Sequence, residues 1–170
     1  ITQGMVINTD TAEVLAARKM AVELMLSSCS LNCEDCDSNG KCELQSLAVE
    51  LGVGIPRFPK DEARKPVDER HPFITYDPNK CILCSRCVRA CREIAVNDVW
   101  GVAGRGDGST ISTFFKDAME SAGCLSCGEC VSVCPTGALK EKPEFTVSSD
   151  KETKITRTTC PWCGVGCTIE

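Results

Sequence analysis

The stretch CILCSRCVRAC, residues 81–91, and the stretch CLSCGECVSVCP, residues 124–135, decide the fold. Each holds four cysteines separated by two, two and three residues, and the second run follows the first at an offset of 43 residues at all four positions. Three thiols two residues apart can surround one side of a metal cluster, whereas a fourth that follows a short helical turn points away from it. The repeat therefore predicts two metal clusters that exchange their fourth ligands.

The complete run, with Pro135 after its second copy, resembles the run with which bacterial-type ferredoxins hold two [4Fe–4S] clusters. In that family the fourth cysteine of each run serves the other cluster, so the resemblance implies crossed ligation. The first predicted ligand set, here set A, is Cys81, Cys84, Cys87 and Cys134, and the second, set B, is Cys124, Cys127, Cys130 and Cys91.

Zinc and disulfides are the two alternatives for these runs. Zinc ribbons use cysteines in pairs and have no use for a third and a fourth at this spacing. A disulfide framework would join partners three residues apart, which is strained, and the total of 15 cysteines is odd. Both alternatives are therefore weaker than iron–sulfur clusters.

A third cysteine group lies in SSCSLNCEDCDSNGKCELQ, residues 27–45. Turn-forming residues at 37–40 allow the chain to fold back, so that the last cysteine can reach the same metal as the first three. Four thiols also satisfy tetrahedral zinc, so zinc stays open for this group taken alone. The predicted ligands, here set C, are Cys29, Cys33, Cys36 and Cys42.

Set C resembles the third cluster domain of complex I large subunits and of iron-only hydrogenases, which often ends in GKCELQ, as here at residues 40–45. Those families usually have a histidine where this chain has Cys29. A [4Fe–4S] cluster is still implied, because a thiolate is also a good iron ligand. The additional negative charge of that thiolate should lower the reduction potential.

The last eleven residues, CPWCGVGCTIE, space three cysteines differently. They resemble the opening of molybdopterin oxidoreductase catalytic domains, and TTCPWCGVGC is close to the form in formate dehydrogenases. In that family a fourth cysteine follows some tens of residues later. Cys160, Cys163 and Cys167, here set D, are thus predicted to be an incomplete fourth [4Fe–4S] site. The fourth cluster and a molybdenum or tungsten bis-pterin cofactor are expected only in a longer chain.

Composition limits the remaining possibilities. A chain of 170 residues with 5% aromatic residues cannot rely on one large apolar core, so clusters are expected to organise several small ones. The net charge of −5, without a basic patch, argues against nucleic acid as a partner. No run is long enough to span a membrane, and no signal-peptide pattern is present. The initial Ile1 and the final motif indicate an internal segment of a longer polypeptide.

The predicted fold class is α+β: a small helical four-cysteine domain, a ferredoxin-like domain with two [4Fe–4S] clusters, and the first residues of a molybdopterin oxidoreductase domain. The first helix should begin at the cap Asp10, with Glu13 completing a capping box, run to Leu26 and bury Leu24 and Met25; the second should run from Glu43 to about Leu51. The predicted units are 1–9 (tail of a [2Fe–2S] domain), 10–55 (four-cysteine domain), 56–72 (linker), 73–142 (ferredoxin-like domain), 143–157 (linker) and 158–170 (start of the molybdopterin domain).

Several segments carry their own predictions. Residues 73–76 are predicted to be a strand, 114–122 a helix and 139 onward a linker, whereas the proline-rich residues 52–72 are predicted to be either a linker or an extended covering strap. The glycine-rich loop at 104–108 lacks the context of a phosphate site, so residues 96–113 read as an insertion. Ile82 and Leu125 occupy equivalent positions and should line the cluster sites. His71, the only histidine, is expected to be structural or on the surface rather than a ligand.

The resemblances together imply the electron-transfer arm of a cytoplasmic formate dehydrogenase, which oxidises formate or reduces carbon dioxide. This segment should contain no catalytic residue of its own. Its expected partners are flavin- and NAD(P)-binding, ferredoxin or hydrogenase subunits of a multi-subunit complex. The alternatives are the input arm of an iron-only hydrogenase or of a complex I-type large subunit, and a free-standing polyferredoxin. The four sets account for all 15 cysteines, which argues against disulfides and favours the cytoplasm.

Overall fold

The computed structural model describes residues 2–58, 65–142, 156–160 and 164–169. It is a mixture of helices and two-stranded antiparallel sheets, as the predicted fold class requires. The helices are α1 (Ala12–Ser27), α2 (Glu43–Glu50), α3 (Arg86–Arg89) and α4 (Glu129–Ser132). The strands are β1 (Ile74–Tyr76), β2 (Trp100–Ala103), β3 (Thr110–Thr113), β4 (Leu139–Glu141), β5 (Thr158–Thr159) and β6 (Thr168–Ile169). Within these ranges no helix is both long and apolar enough to cross a bilayer.

Helix α1 begins one residue later than predicted. Its N-cap is Thr11, whose hydroxyl accepts a hydrogen bond from the Val14 N–H at 3.3 Å. The prediction that Asp10 caps the helix, with Glu13 completing a capping box, is therefore wrong. A threonine at the cap position supplies the same kind of acceptor as an aspartate does.

The buried face of α1 also differs from the prediction. Val22 and Leu26 are buried against Leu44, Ala48 and Leu51, which belong to α2 and its C-terminal cap. Leu24 and Met25, predicted to be buried, are exposed. The alanine-rich helix has apolar residues on more than one side. Because α2 covers one side, apolar residues on the other sides, such as Leu24 and Met25, remain in solvent.

Helix α2 confirms its prediction closely. It ends at Glu50, and Gly52 has a φ of +61°, the left-handed conformation that a helix C-terminus favours in glycine. The Gly52 N–H donates to the Val49 carbonyl at 3.1 Å and the Val53 N–H donates to the Ala48 carbonyl at 2.8 Å. This is a Schellman motif.

The two cysteine runs lie inside a small domain closed by β1 and β4. These strands pair antiparallel, with Tyr76 opposite Leu139. Leu139 is buried, so the expectation that a linker begins at this residue is wrong. Pairing the strand before the first run with the strand after the second brings the two runs together around one core.

Residues 96–113, predicted to be an insertion between the two cysteine runs, contain an antiparallel hairpin. Strands β2 and β3 pair with Trp100 opposite Thr113, and the glycine-rich loop is their turn. A Cβ atom at Gly104, whose φ is +79°, would lie 2.4 Å from the Gly108 carbonyl oxygen. The glycines therefore serve a tight turn and do not form a phosphate-binding loop.

The predicted helix over residues 114–122 is wrong. Only residues 114–116 form a 3-10 turn, in which Phe115 and Lys116 have φ values of 56° and 60°. Two consecutive left-handed residues interrupt a right-handed helix, and Asp117 then returns to an extended conformation.

The two cysteine runs share their backbone conformation as well as their spacing. Leu83 and Ser126, two residues after the first cysteine of each run, have φ values of 56°. Ser85 and Gly128, one residue after the second cysteine, have φ values of 58° and 79°. The matching helices α3 and α4 then follow. The internal repeat in the sequence is therefore also a repeat in the structure.

Candidate metal centres

The four cysteines of set A line one cavity. The cavity encloses about 330 Å³, including the space at its open mouth. Its lining combines the thiols with apolar residues and with residues that follow the second run. The residues that line it are Tyr76, Cys81, Ile82, Cys84, Ser85, Arg86, Cys87, Ile111, Cys134, Pro135, Thr136, Ala138 and Leu139. Cys134 belongs to the second run, so the fold brings it to the three cysteines of the first.

Electrostatic coupling also groups the thiols of set A. Burial, with additional repulsion from the Cys81, Cys134 and Cys130 thiols, raises the pKa of Cys87 to about 12. Burial likewise raises the pKa of Cys81, to which Cys134 and Cys84 add. Bringing several thiols together is unfavourable for their charged forms unless a cation neutralises them.

Set B shows the same pattern from the other run. The pKa of Cys130 is raised to about 11: burial is the largest cause, an interaction with the Trp100 side chain opposes it, and repulsion from Cys124, Cys127 and Cys91 adds to it. Cys91 and Cys127 also raise the pKa of Cys124. Cys91, from the first run, thus lies with the thiols of the second.

Backbone N–H groups point at sulfur atoms in both sets. The Leu139 N–H donates to the Cys134 Sγ atom at 3.4 Å, and the Val99 N–H donates to the Cys91 Sγ atom at 3.3 Å. The Ser126 N–H donates to the Cys124 Sγ atom at 3.4 Å. Such donors stabilise negative charge on sulfur, so they favour thiolate ligands and the reduced form of a cluster.

The fold gathers set C at the end of α1 and the start of α2. Burial raises the pKa of Cys29 to about 12, followed by repulsion from Cys42, Cys33 and Cys36 in that order. Cys42 is the N-cap residue of α2, and Cys29 directly follows the C-cap of α1. The two helices therefore hold the first and last cysteines of the group, while the loop between them carries the other two.

Set C packs directly against set A. The Glu43 N–H, next to Cys42, donates to the Pro135 carbonyl, next to Cys134, at 2.8 Å. The Arg86 guanidinium binds the Glu43 carboxylate through two contacts of 2.8 Å. Lys140 forms an ion pair with Asp37. One backbone hydrogen bond thus joins the neighbours of two candidate ligands that belong to different sets.

Set D is described only in part. Strands β5 and β6 pair, and the Cys160 N–H donates to the Cys167 carbonyl at 2.8 Å, so these two cysteines are neighbours. Cys163, the third predicted ligand, lies outside the described residues.

The donor set of the cavity fits an iron–sulfur cluster. Within the described ranges, no three His, Cys, Asp or Glu side chains converge on one point as ligands of a single ion do. A cluster of several iron atoms instead fits thiols spaced around a cavity, as in set A. The cavity also contains a buried hydroxyl, on Tyr76, that lacks an acceptor and could donate to a sulfur atom.

His71 is fully buried and structural, not a surface residue. Its Nδ1 atom accepts hydrogen bonds from the Phe73 and Ile74 N–H groups, both at 3.1 Å, so the proton resides on Nε2. Nε2 lies 3.2 Å from the Ser126 hydroxyl. The histidine therefore connects the segment before β1 with the loop of set B.

Sequence reasoning missed Tyr76 and Trp100. Both rings are buried, and they pack edge to face with centroids 5.5 Å apart. The sequence signal that points to them is their rarity, since the chain has one tyrosine and two tryptophans. Conversely, Leu125, predicted to line a cluster site, is 70% exposed, whereas its counterpart Ile82 lines the cavity.

Comparison with protein families identifies two domains. Residues 71–140 match the NADH-quinone oxidoreductase subunit 3, ferredoxin-like domain. Residues 18–57 match the NADH-ubiquinone oxidoreductase-G iron–sulfur binding region. These ranges include all the cysteines of sets A and B in the first case and of set C in the second. Both are iron–sulfur domains of oxidoreductases.

Two curated relatives and one solved structure extend the comparison. The chain is 35% identical over 98% of its length to an NADH-quinone oxidoreductase subunit of Rhizobium meliloti (strain 1021), of which it covers 19%. It is 30% identical over its whole length to a Staphylococcus aureus (strain USA300) protein named "Putative formate dehydrogenase", of which it covers 21%. The chain thus spans about a fifth of the curated relatives that it matches.

The structural neighbour is a chain from the "Crystal structure of NAD+-reducing [NiFe]-hydrogenase in the H2-reduced state". The TM-score is 0.73 at 27% sequence identity, over 81% of this chain and 59% of the other. Sequence and structure comparisons therefore agree on iron–sulfur segments of multi-subunit oxidoreductases.

Proposed function

We propose that this chain, an iron–sulfur segment of an oxidoreductase, carries electrons between a molybdenum- or tungsten-pterin site that oxidises formate and a redox partner subunit. The resemblance of residues 158–170 to formate dehydrogenases and the relative of that name in Staphylococcus aureus support this substrate. Sets A, B and C are the proposed ligands of three [4Fe–4S] clusters, and set D contributes to a fourth. The partners are flavin- and NAD(P)-binding, ferredoxin or hydrogenase subunits, and the compartment is the cytoplasm.

One observation carries the electron-transfer proposal: the backbone hydrogen bond between Glu43 and Pro135. It links the residue after Cys42, in set C, to the residue after Cys134, in set A. The Cys130 thiol of set B contributes to the raised pKa of Cys87, so sets A and B also adjoin. We therefore propose a route in which set A connects set C with set B.

The residues of the chain have three tasks in this function. A [4Fe–4S] cluster takes up and releases one electron at a time with little change in shape. The thiols bind it, the buried core residues Val88, Ile111 and Leu139 exclude water from it, and the backbone N–H groups on sulfur raise its potential. The distance between neighbouring sets is held constant in two ways. Each cysteine run contributes ligands to both set A and set B, and the hydrogen bond from Glu43 to Pro135 joins set C to set A.

Two variants of Glu43 test the order of the sets. Glu43 is the first residue of α2, a position that accepts proline, so Glu43→Pro removes the N–H without interrupting the helix. Glu43→Ala keeps the N–H and removes the same carboxylate. We expect the holoprotein to show slower electron transfer between sets C and A in Glu43→Pro than in Glu43→Ala, at equal iron content. Equal rates in the two variants would contradict the proposed route.

The substrate is tested separately on the natural holoenzyme. Formate, dihydrogen and NADH are offered in turn under anaerobic conditions, and reduction of the clusters is followed by electron paramagnetic resonance (EPR). We expect formate to reduce them. Reduction by dihydrogen or NADH without any response to formate would favour the second candidate.

That second candidate is the input arm of a hydrogenase or of a complex I-type enzyme. The 35% identity to the Rhizobium meliloti protein and the structural match to the hydrogenase chain favour it. Both candidates assign the same electron-transfer task to sets A, B and C, and they differ only in the substrate of the complete enzyme.

A further inference from the structure

The buried hydroxyl of Tyr76 lacks a hydrogen bond of normal geometry. Among the described residues it is the only buried side-chain nitrogen or oxygen atom without a hydrogen bond of normal geometry. Tyr76 itself is 6% exposed. A buried hydroxyl without an acceptor costs stability, so a tyrosine here, in place of phenylalanine, calls for a compensating partner.

The position of the ring indicates that partner. Tyr76 lines the same cavity as the four cysteines of set A. Two side chains interact with its hydroxyl, the Cys81 thiol and Thr110. The interaction with Cys81 raises the pKa of Tyr76, as expected where the phenol donates, whereas the interaction with Thr110 lowers it, as expected where the phenol oxygen accepts, so Cys81 is the acceptor of the phenol proton. A sulfur atom becomes a much better acceptor once it is a thiolate bound to iron.

The equivalent donor in set B is different. There an interaction with the Trp100 side chain lowers the pKa of the Cys130 thiol, as a hydrogen-bond donor does. Tyr76 and Trp100 are in edge-to-face contact, with an interplanar angle of 63°. Each ring of this pair thus directs its one polar hydrogen to a different set, and a phenol serves one set while an indole serves the other.

We propose that the Tyr76 hydroxyl is a positioning residue for electron transfer that donates a hydrogen bond to the Cys81 sulfur of the bound cluster and raises the potential of that cluster alone. This inference rests on the proposed function, because it requires a cluster in set A. Adding an electron increases the negative charge on the sulfur atoms. A hydrogen bond to sulfur stabilises that charge and so favours reduction.

Two substitutions change the donor in opposite directions. Tyr76→Phe removes one oxygen atom and keeps the ring that packs against Trp100. Growth on 3-fluorotyrosine replaces Tyr76, the one tyrosine of these 170 residues, and gives a more acidic phenol that donates more strongly. EPR-monitored redox titration of the holoprotein should show one cluster at a lower potential in Tyr76→Phe and the same cluster at a higher potential in the fluorinated protein.

Thr110→Val is the matched control. It removes the other side chain that interacts with the hydroxyl and leaves Cys81 untouched, so it should not reproduce the shift of Tyr76→Phe. An equal shift in Thr110→Val would mean that the hydroxyl acts through Thr110, which would overturn the inference. Unchanged potentials in Tyr76→Phe at full iron content, or equal shifts of all the clusters, would overturn it as well.

Iron content separates this inference from the proposed function. Full iron without a specific shift contradicts only the role of Tyr76. A wild-type protein that binds no iron contradicts the proposed function, and the inference with it. If Tyr76→Phe does not fold, the fluorinated protein decides the question by itself, since its ring is nearly unchanged in size.

Discussion

Cys29 is the residue at which this chain departs from the families that it resembles. It occupies the position of their histidine, and its thiol lies with the other three of set C. A thiolate brings one more negative charge to a cluster than a neutral imidazole does, so it should hold the potential of that cluster low.

Two substitutions test the role of Cys29. Cys29→Ala should remove or convert one of the cluster signals in EPR, because it deletes a ligand. Cys29→His should retain the cluster at a higher potential, because the ligand becomes neutral. Ser28→Ala, one residue earlier, is the control and should match the wild type. An unchanged spectrum in Cys29→Ala would show that another group is the ligand.

Glu23 is a second residue with a role that its sequence context does not reveal. It is a buried carboxylate on α1, and the Arg57 guanidinium donates to it through contacts of 2.8, 2.8 and 3.1 Å, together with the Arg57 N–H at 2.7 Å. These hydrogen bonds, that of the side chain most of all, lower the pKa of Glu23 from 4.5 to about 2. The ion pair between Arg57 and Glu23 holds the segment that follows α2 against α1.

The sign of the pKa shift predicts the pH dependence of this contact. A carboxyl with a lowered pKa stabilises the fold above about pH 4.5 and loses that contribution as the pH falls towards 2. Glu23→Gln should therefore speed hydrogen exchange in α1 by the same factor at pH 8 and at pH 6. Glu50→Gln, which breaks an exposed 3.5 Å pair with Arg18, should have little effect. A difference that shrinks between pH 8 and pH 6 would contradict the assignment.

At the scale of elements, the repeated cysteine loops were the most predictable part of the chain. Their spacing indicates the short helices α3 and α4, because each fourth cysteine needs a turn of helix before it. The hairpin of β2 and β3 was not predictable in the same way. Its alternating pattern is short and lies beside a glycine-rich turn, and its position depends on packing Trp100 and Ile111 into the core.

A substitution at Gly137 tests how closely the turn of set C, which contains Ser38, packs against the segment that follows Cys134 of set A. Its φ is +68°, and a Cβ atom there would lie 1.9 Å from Ser38 Oγ and 3.1 Å from Ser38 Cβ. Gly128 has a φ of +79° with no atom within 4 Å of a Cβ. Both alanine variants should lose about 1 kcal/mol of unfolding free energy from left-handed strain, and Gly137→Ala should lose more because of the clash.

A second substitution isolates the clash. Ser38→Gly removes both atoms that a Cβ at position 137 would meet, so Gly137→Ala combined with Ser38→Gly should recover most of the additional loss. Guanidinium unfolding measures all of these free energies. Equal losses in Gly137→Ala and Gly128→Ala would show that the two modules do not fit closely at this point.

At the scale of the whole molecule, the sequence predicts the ligand sets and the structure adds their arrangement. Cysteine spacing indicates which thiols share a metal, because the ligands of one cluster are mostly close in the chain. The contact of set C with set A depends on Glu43 and Pro135, residues 92 positions apart that carry no metal-binding signature. Long-range contacts of this kind follow from packing and are not encoded in a local pattern.

The conformation of residues 65–76 shows the same limit. The sequence indicates a proline-rich connection, whereas the Asp68 N–H donates to the Tyr76 carbonyl at 2.8 Å and the Tyr76 N–H donates to the Asp68 carbonyl at 2.9 Å. This pairing and the buried His71 hold the segment against the cluster domain. Composition alone does not distinguish a packed segment from an open linker.

The central claim is that sets A, B and C each hold one [4Fe–4S] cluster. The most direct test is elemental analysis of the anaerobically purified chain for iron, acid-labile sulfide and zinc. Three cubane clusters predict about 12 iron atoms and about 12 sulfides per chain, with zinc well below one atom per chain. Stoichiometric zinc with little iron and no labile sulfide would contradict the account.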